Sequence, residues 1–542
     1  MADNPLVLDP KSGFNWTTKT FHSLRPPLHL PPEDAPLSVV DYVFSRQTNS
    51  PWRDAVALIN SSTGHRITYS ELAQLIKSLA SYLHNVTKLS KNDVAFVLCP
   101  NSVKIPILYF SLLSLGVVIS PANPVSTESE ISRQIDLSKP VIAFATSATA
   151  LKLPKLKHET ILIDSSEFDS LMTTSISTLQ QRVMVKQSDL AGILYSSGTT
   201  GKVKGVMLTH RNLTAVVAGL HSFEPESQAV VLYPVPFFHM YGFFYSLKSV
   251  AFSETVVVME RFDLKKMLTA VEEFKVTQLA VAPPVVVQLV KSGLADGYDM
   301  RSLKGVACGG APLGKDMIAA FMARFPAVAL WQGYGLTESA GGISRATGPE
   351  EMLYWGSVGR LNGGIEAKIV SPNTNDVMPP GKQGELWIRG PLIMKGYVGD
   401  PEATSSALQS DGWLKTGDVC YIDEQGFVFV VDRLKELIKY KGYQVAPAEL
   451  EQLLQSHPDI ADAAVVPSPD EDSGEVPMAF VVKQSHSSLN ERDIMNFVAD
   501  QVAPYKKVRR VAFVSSIPKS PAGKILKKDL RKMTFEWPKS RM

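Results

Sequence analysis

Cysteine is scarce: among 542 residues only Cys99, Cys308 and Cys420 occur, far apart and without the spacing of a metal-ligand set. That excludes a disulfide framework or zinc site as the basis of stability and fits a reducing compartment. An excess of one charge is also missing. Lys and Arg number 55 against 53 Asp and Glu, a formal charge of +2. Nothing global therefore draws the chain to nucleic acid or membrane, and any basic site must be local. Long apolar runs are absent too. The longest uncharged stretch, Ile105 to Asn123, is broken by Pro106, Gly116, Pro121 and several serines. It reads as a short buried helix followed by a strand, with no membrane span. Met1 to Trp16 lacks the basic and apolar regions of a secretory signal. Neither a Walker loop, a G-x-G-x-x-G turn nor a solenoid repeat is found.

What the chain does have is length, enough for two or more domains. Residues 1–50 are Pro-rich and are expected to lie irregularly over the first domain. From Ala55 onward, short β-rich runs such as Val94–Leu98, Val117–Ile119, Val141–Phe144, Ile161–Ile163 and Val230–Leu232 alternate with helix-length segments. That alternation predicts an α/β fold of helix-covered parallel sheets. Near Gly381 the texture changes to antiparallel strands, with Gly384–Gly390 and Gly426–Val431 expected in a small β-barrel-like part over about 365–432. After Asp432 comes an α+β pattern: a charged helix at Ala446–His457, strands at Asp462–Pro467 and Pro477–Lys483, and a helix at Glu491–Val502. The expected division is residues 1–432 and 433–542, with the joint at Asp432-Arg433-Leu434-Lys435.

The most informative stretch is Tyr195-Ser196-Ser197-Gly198-Thr199-Thr200-Gly201-Lys202-Val203-Lys204-Gly205, directly after the apolar run Ala191–Leu194. A strand emptying into such a loop presents backbone N–H groups, hydroxyls and ammonium groups to a phosphate without Cβ clashes. A Ser/Gly-rich loop can be a plain linker, but linkers seldom follow a buried strand with ordered Lys spacing. Further along, Gln332-Gly333-Tyr334-Gly335-Leu336-Thr337-Glu338 offers a ring that can stack on a base, a hydroxyl for a phosphate oxygen and a hard carboxylate suited to Mg²⁺. Thr416-Gly417-Asp418 supplies a carboxylate suited to ribose hydroxyls, although alone it is an ordinary turn.

Together with Pro236-Phe237-Phe238-His239-Met240-Tyr241-Gly242, Gly309-Gly310-Ala311-Pro312, the run Asp432 to Val445 and Pro521-Ala522-Gly523-Lys524-Ile525-Leu526, these segments resemble the adenylate-forming superfamily in its own order. That superfamily includes acyl-CoA synthetases, firefly-type luciferases and peptide-synthetase adenylation domains. The likeness covers roughly Ser70 to Leu530 and is strongest to the plant 4-coumarate:CoA ligases and ligase-like proteins. It implies a large N-terminal domain for acid and ATP, followed by a small mobile α+β domain.

The resemblance implies an ATP-dependent acid:CoA ligase working through an acyl-AMP intermediate, with Mg²⁺ held by Glu338. Ser196, Ser197, Gly198, Thr199, Thr200, Gly201 and Lys204 would hold ATP phosphates. Gln332, Gly333, Tyr334, Gly335 and Thr337 would contact the nucleotide, as would Asp418, Arg433, Lys435, Lys439, Gln444 and Lys524. The acyl group would lie among His239, Tyr241, Phe243, Gly309, Gly310, Ala311, Gly333, Gly341 and Gly342. Arg261, Lys441 and Gly442 would meet CoA. The catalytic set carried over is Lys524, His239, Lys441 and Gln444. Because Lys524 follows a Pro and a Gly-containing turn, its ammonium is presented on a loop, as suits a group reaching a site from another domain.

Two departures matter. Val203 stands where the family commonly has Pro, and Ser339-Ala340-Gly341-Gly342 replaces the bulkier Pro-Val pair of authentic coumarate ligases. The resemblance implies as acid a phenylpropanoid or benzenoid carboxylate, such as cinnamate or 4-coumarate, while the second departure argues against coumarate itself as the preferred one. The alternative is a fatty or jasmonate-precursor (OPC-type) acid, for which less bulk opens the tunnel. Ser540-Arg541-Met542 resembles a peroxisomal address; a cytoplasmic location is the other reading. A luciferase-like monooxygenase shares every motif, and a peptide-synthetase domain is expected to be followed by a carrier domain. RNA binding through Tyr505–Arg510 competes poorly with a CoA-phosphate patch or a solvated loop. A monomer or weak dimer without nucleic-acid partners is expected.

Overall fold

The computed structural model describes residues 8–47, 50, 52, 54–173, 183–196, 203–220, 228–470, 472–485, 487–521 and 523–536. Ser197, Gly198, Thr199, Thr200 and Gly201 of the phosphate loop, and the tripeptide Ser540-Arg541-Met542, lie outside these residues.

The expected strand–helix alternation folds into two helix-covered sheets. In the first, the parallel strands Val94–Leu98, Val118–Pro121, Ile142–Ala145 and Ile161–Leu162 are joined by Leu190–Ser196. On the far side, Lys204–Thr209 pairs antiparallel with Leu190–Ser196, so the phosphate loop joins the two strands of a hairpin. The second sheet is parallel through Val56–Asn60, Thr255–Val258, Val230–Leu232, Gln278–Val281, Gly305–Cys308 and Ala329–Tyr334. Ile105–Asn123 divides as read: helix Lys104–Ser114, then strand Val118–Pro121. Among the described residues, no helix is long and apolar enough to cross a membrane.

The third sheet is antiparallel and runs from Phe14–Asn15 through Thr20–His22, Glu366–Val370, Gly384–Arg389 and Leu414–Ile422 to Val428–Arg433. Its first two strands depart from the irregular N-terminus expected. Phe14 and Phe21 face each other across that short hairpin and are 1% and 0% exposed, so two rings anchor a segment whose prolines elsewhere forbid regular structure. The same N-terminal stretch also contains the helix Val39–Ser45, begun by a Ser38–Asp41 capping box.

Beyond Arg433, the strands Ile460–Asp470 and Gly474–Lys483 carry the helices Pro447–Ser456, Glu491–Ala499 and Lys527–Glu536. Their apolar residues, Ile438, Leu450, Val465 and Phe480 among them, bury in clusters of their own, apart from those of the three larger sheets. The stretch around Asp432 and Glu436 is tied from both sides. Asp432 accepts a hydrogen bond from the Ala448 N–H at 2.8 Å, capping the helix Pro447–Ser456, and Arg531 reaches Glu436 at 2.6 Å.

Candidate functional site

The carboxyl ends of the parallel strands converge on one cleft, the usual place for a ligand in open α/β sheets. Ser196 ends its strand there, and its hydroxyl donates to Glu338 Oε1 at 2.9 Å. The Tyr397 hydroxyl donates to the same oxygen at 3.0 Å, and the Lys204 ammonium lies 4.5 Å from the Tyr397 ring centroid. Burial and the Glu338 charge push the Tyr397 phenol up, so it stays a donor. Among the described residues Glu338 Oε2 takes no hydrogen bond, and no group of three His, Cys, Asp or Glu gathers to hold a metal. A single hard carboxylate of this kind fits a Mg²⁺ held otherwise by phosphates and water. Glycine is required nearby: a Cβ on Gly205 would lie 2.5 Å from Val398 and 2.9 Å from Ile193.

Tyr334 and Asp418 form the next part. The tyrosine hydroxyl donates to Asp418 Oδ2 at 2.6 Å, and Arg433 Nε lies 3.5 Å from Oδ1. Asp418 and Arg433 are cross-strand partners, so the antiparallel register places the pair. Burial raises the Asp418 carboxyl pKa, while Arg433 and the Tyr334 hydroxyl oppose that rise. Gly335 passes so close to the following turn that a Cβ would sit 2.1 Å from the Gly341 carbonyl oxygen. Thr337 and Glu338 begin the single turn Thr337–Ser339. Gln332 is 8% exposed and donates to the Ser357 carbonyl at 3.1 Å, bracing the strand that carries Gly333 and Tyr334.

His239 caps the helix Met240–Ala251, its Nδ1 accepting from the Tyr241 N–H at 3.2 Å. Burial, helped by the nearby Lys524 ammonium, lowers its pKa to about 3. The ring is therefore neutral and, with Nδ1 accepting, carries its proton on Nε2. Tyr241, Phe244 and Tyr245 share one face of that helix, with Tyr241 and Tyr245 5.0 Å apart and Phe244 and Tyr245 5.2 Å apart. Backbone without side chains faces them: a Cβ on Gly309 would lie 3.5 Å from the Tyr241 hydroxyl, and one on Gly341 would lie 3.9 Å from Phe244 Cβ. Gly310, at φ +88°, continues this turn into Ala311. Gly342 packs instead toward Val216, where a Cβ would come within 2.8 Å.

Phe243 is not brought to this face. It is 0% exposed, with its ring 5.4 Å from Tyr109 in the core, and Phe244 takes the position expected of it. A helical turn of 100° separates the neighbours, a phase that two consecutive phenylalanines do not reveal. Tyr397 was also missed. It lies 59 positions from Glu338, and no local motif marks it.

Lys524 reaches the cleft on the turn between Lys519 and Ile525, held by Ser520 N–H donating to the Lys524 carbonyl at 2.8 Å. Burial and Arg433 lower its pKa, against the opposing pull of Asp418 and Glu338. One ammonium is thus electrostatically coupled to both carboxylates and to His239. Lys441 and Gly442 are elsewhere. They form the two-residue turn between Ile438–Tyr440 and Tyr443–Val445, with φ +46° and +82°, and are exposed. Lys435, Lys439 and Gln444 are exposed near them, and Arg261 is exposed between the strand Thr255–Val258 and the helix Leu264–Glu273.

A family model described as AMP-binding enzyme matches residues 44–398, and one described as AMP-binding enzyme C-terminal domain matches residues 449–524. The 4-coumarate–CoA ligase-like 9 of Arabidopsis thaliana is 52% identical over 98% of this chain and 97% of its own. A peroxisomal OPC-8:0-CoA ligase of the same plant is 45% identical over 96% of this chain and 98% of its own. Among solved structures, the o-succinylbenzoate CoA synthetase of Bacillus subtilis, in complex with its acyl-adenylate intermediate, superposes with a TM-score of 0.78 at 26% identity. That match covers 90% of this chain and 97% of the other.

Proposed function

We propose, for a chain that belongs to the AMP-binding enzyme family in its plant 4-coumarate:CoA ligase-like group and is an AMP-forming acid–thiol ligase, that the acid is a phenylpropanoid or benzenoid carboxylate such as cinnamate or 4-coumarate. The observation that carries the reading is the coupling of the Lys524 ammonium to His239, Glu338 and Asp418 around one cleft with an aromatic wall. A carboxylate resists thiol attack because oxide is a poor leaving group at neutral pH. Joining the acid to AMP supplies a better one, and fixed cations and dipoles stabilise the charge that moves. Lys524 holds the negative charge shared by carboxylate and α-phosphate as pyrophosphate departs. His239, neutral with its proton on Nε2, donates to a carboxylate oxygen without adding charge. Asp418 and Arg433 hold the ribose, Tyr334 flanks the base, and Ser196 and Lys204 steady the phosphates. Glu338 would hold Mg²⁺, which neutralises phosphate charge when bound.

The thiol of CoA then attacks the acyl carbon and AMP leaves. In this reading residues 433–542 turn about Lys435, withdrawing Lys524 and bringing in the Lys441–Gly442 turn, with Lys439, Gln444 and Arg261 guiding the nucleotide and CoA. Separating the two steps limits attack by water on the mixed anhydride.

A second reading, an OPC-type or fatty acid, is favoured by Gly341, which leaves space beside Met240 and Phe244, and by the peroxisomal relative. That relative also supports a peroxisomal location, which fluorescent fusions at either end would test. ATP-dependent CoA thioester formation across hydroxycinnamates, benzoates, medium-chain acids and cyclopentane-alkanoates decides between the two. Preference for the planar aromatic acids supports the first reading, and preference for the long flexible acids replaces it with the second.

A further inference from the structure

The helix Pro283–Lys291 belongs to the second parallel sheet's cover, yet both its ends touch the C-terminal part of the chain. At its last residue, the Lys291 ammonium donates to the carbonyls of Gln455 at 2.8 Å, His457 at 3.3 Å and Ile460 at 2.6 Å. An ammonium has three N–H donors, and here all three are spent on one turn of backbone. That turn is the exit of the helix Pro447–Ser456, whose last carbonyls lack partners within the helix and carry the negative end of its dipole. At the other end, the N-cap Ala282 abuts the Lys524 loop so closely that a Cβ on Gly523 would lie 2.8 Å from the Ala282 Cβ. Nine residues of helix, about 13 Å, therefore join the bonded turn to the loop that carries Lys524.

Other contacts support the same alignment. Asp462, which raises the Lys291 pKa against the lowering effect of burial, is paired with Lys519 at 2.5 Å. Lys519 bridges Ile525 and so closes the Lys524 loop. Nearby, Gly314 leaves just enough room for Gln452, whose Cβ would be 3.1 Å from a Cβ there.

We propose that Lys291 is a positioning residue for adenylation: it latches the C-terminal part to the large part in the orientation that delivers Lys524, and releases it for thioester formation. Lys291 touches no reacting atom. It acts by favouring one of two orientations, so it must affect the two half-reactions differently. This rests on the two-step reading above.

The test compares Lys291→Met, Lys291→Gln and Lys291→Arg with the unaltered chain. Pyrophosphate release with acid and MgATP is measured without CoA, and thioester formation is measured from supplied acyl-AMP. Trypsin nicking at the exposed Lys435 is followed in parallel without substrate. We expect Lys291→Met to slow pyrophosphate release about 5–30-fold, the effect of one well-placed cation at a helix end. Thioester formation should be unchanged or faster, nicking faster, Lys291→Gln intermediate and Lys291→Arg partly restored. Equal loss in both half-reactions, or no loss in the first, overturns the latch; if Lys291→Met does not fold, the Gln and Arg variants decide by the same criteria. Should the unaltered chain release no pyrophosphate with any carboxylate, the two-step reading fails. The latch is then judged by nicking alone, and an unchanged rate overturns it.

Discussion

At the scale of single residues, the two lysines expected to be catalytic are distinguished by where they sit. Lys524 is half-buried among opposite and like charges, whereas Lys441 is exposed on a hairpin tip. Lys524→Ala is expected to cut acyl-AMP formation by about 10²–10³ while sparing thioester formation from supplied acyl-AMP. Rapid-quench measurement of the two halves checks it, and parallel loss would contradict the assignment. Tyr334→Phe removes a 2.6 Å hydrogen bond to a buried carboxylate that also meets Arg433. Leaving that acceptor short of a donor costs about 1–3 kcal/mol, so stability should fall by that amount, as urea unfolding of the two proteins would show. Asp418 and Lys524 were legible as motif residues. Their mutual coupling was not, because it arises from strand register and from the docking of a segment about a hundred positions away.

Elements carry their own consequences. Asp432 caps the helix Pro447–Ser456 from the strand Val428–Arg433, so Asp432→Ala should cost about 1 kcal/mol and lower the denaturant midpoint of that part first. His210 opens the helix His210–Ala218 at 0% exposure, with Nδ1 accepting from the Val39 N–H at 3.0 Å. Burial lowers its pKa to about 4, with Lys91 adding to that and Asp189 and Asp41 opposing it. Between about pH 6.5 and 4 the unfolded chain binds this proton and the folded one does not. Stability must therefore fall as pH drops through that window, by up to about 1.4 kcal/mol per pH unit for this group. Urea unfolding of His210→Gln against the unaltered chain should show a shallower acid slope. The helices and parallel strands from Val94 to Leu232 were readable because each β-branched run is followed by a helix-length segment. Phe14–Asn15 and Thr20–His22 belong to no such alternation; they pair with each other, and Thr20–His22 is held by Glu366–Val370, more than three hundred positions away.

For the molecule as a whole, the main apolar clusters of residues 438–530 are separate from those of the three large sheets, with one small cluster of Val419, Leu437 and Ala446 between them. Hydrogen exchange in mild urea should accordingly report two cooperative units, with the strands Ile460–Asp470 and Gly474–Lys483 opening together and apart from Val94–Leu98. A single shared opening energy would argue against independent cores. The sequence changes texture after Asp432. The face that each part turns to the other was not legible there, since Lys291 reads in sequence as an ordinary helix-end cation.

The hairpin tip at Lys441 and Gly442 has one more implication. Both residues already occupy the left-handed backbone region while facing solvent, so the tip is preformed in the open. In the two-step reading proposed above, its shape need not be acquired on arrival at the thioester site. Replacing Gly442 with a β-branched residue would blunt a finished tool, leaving the first half of the reaction untouched.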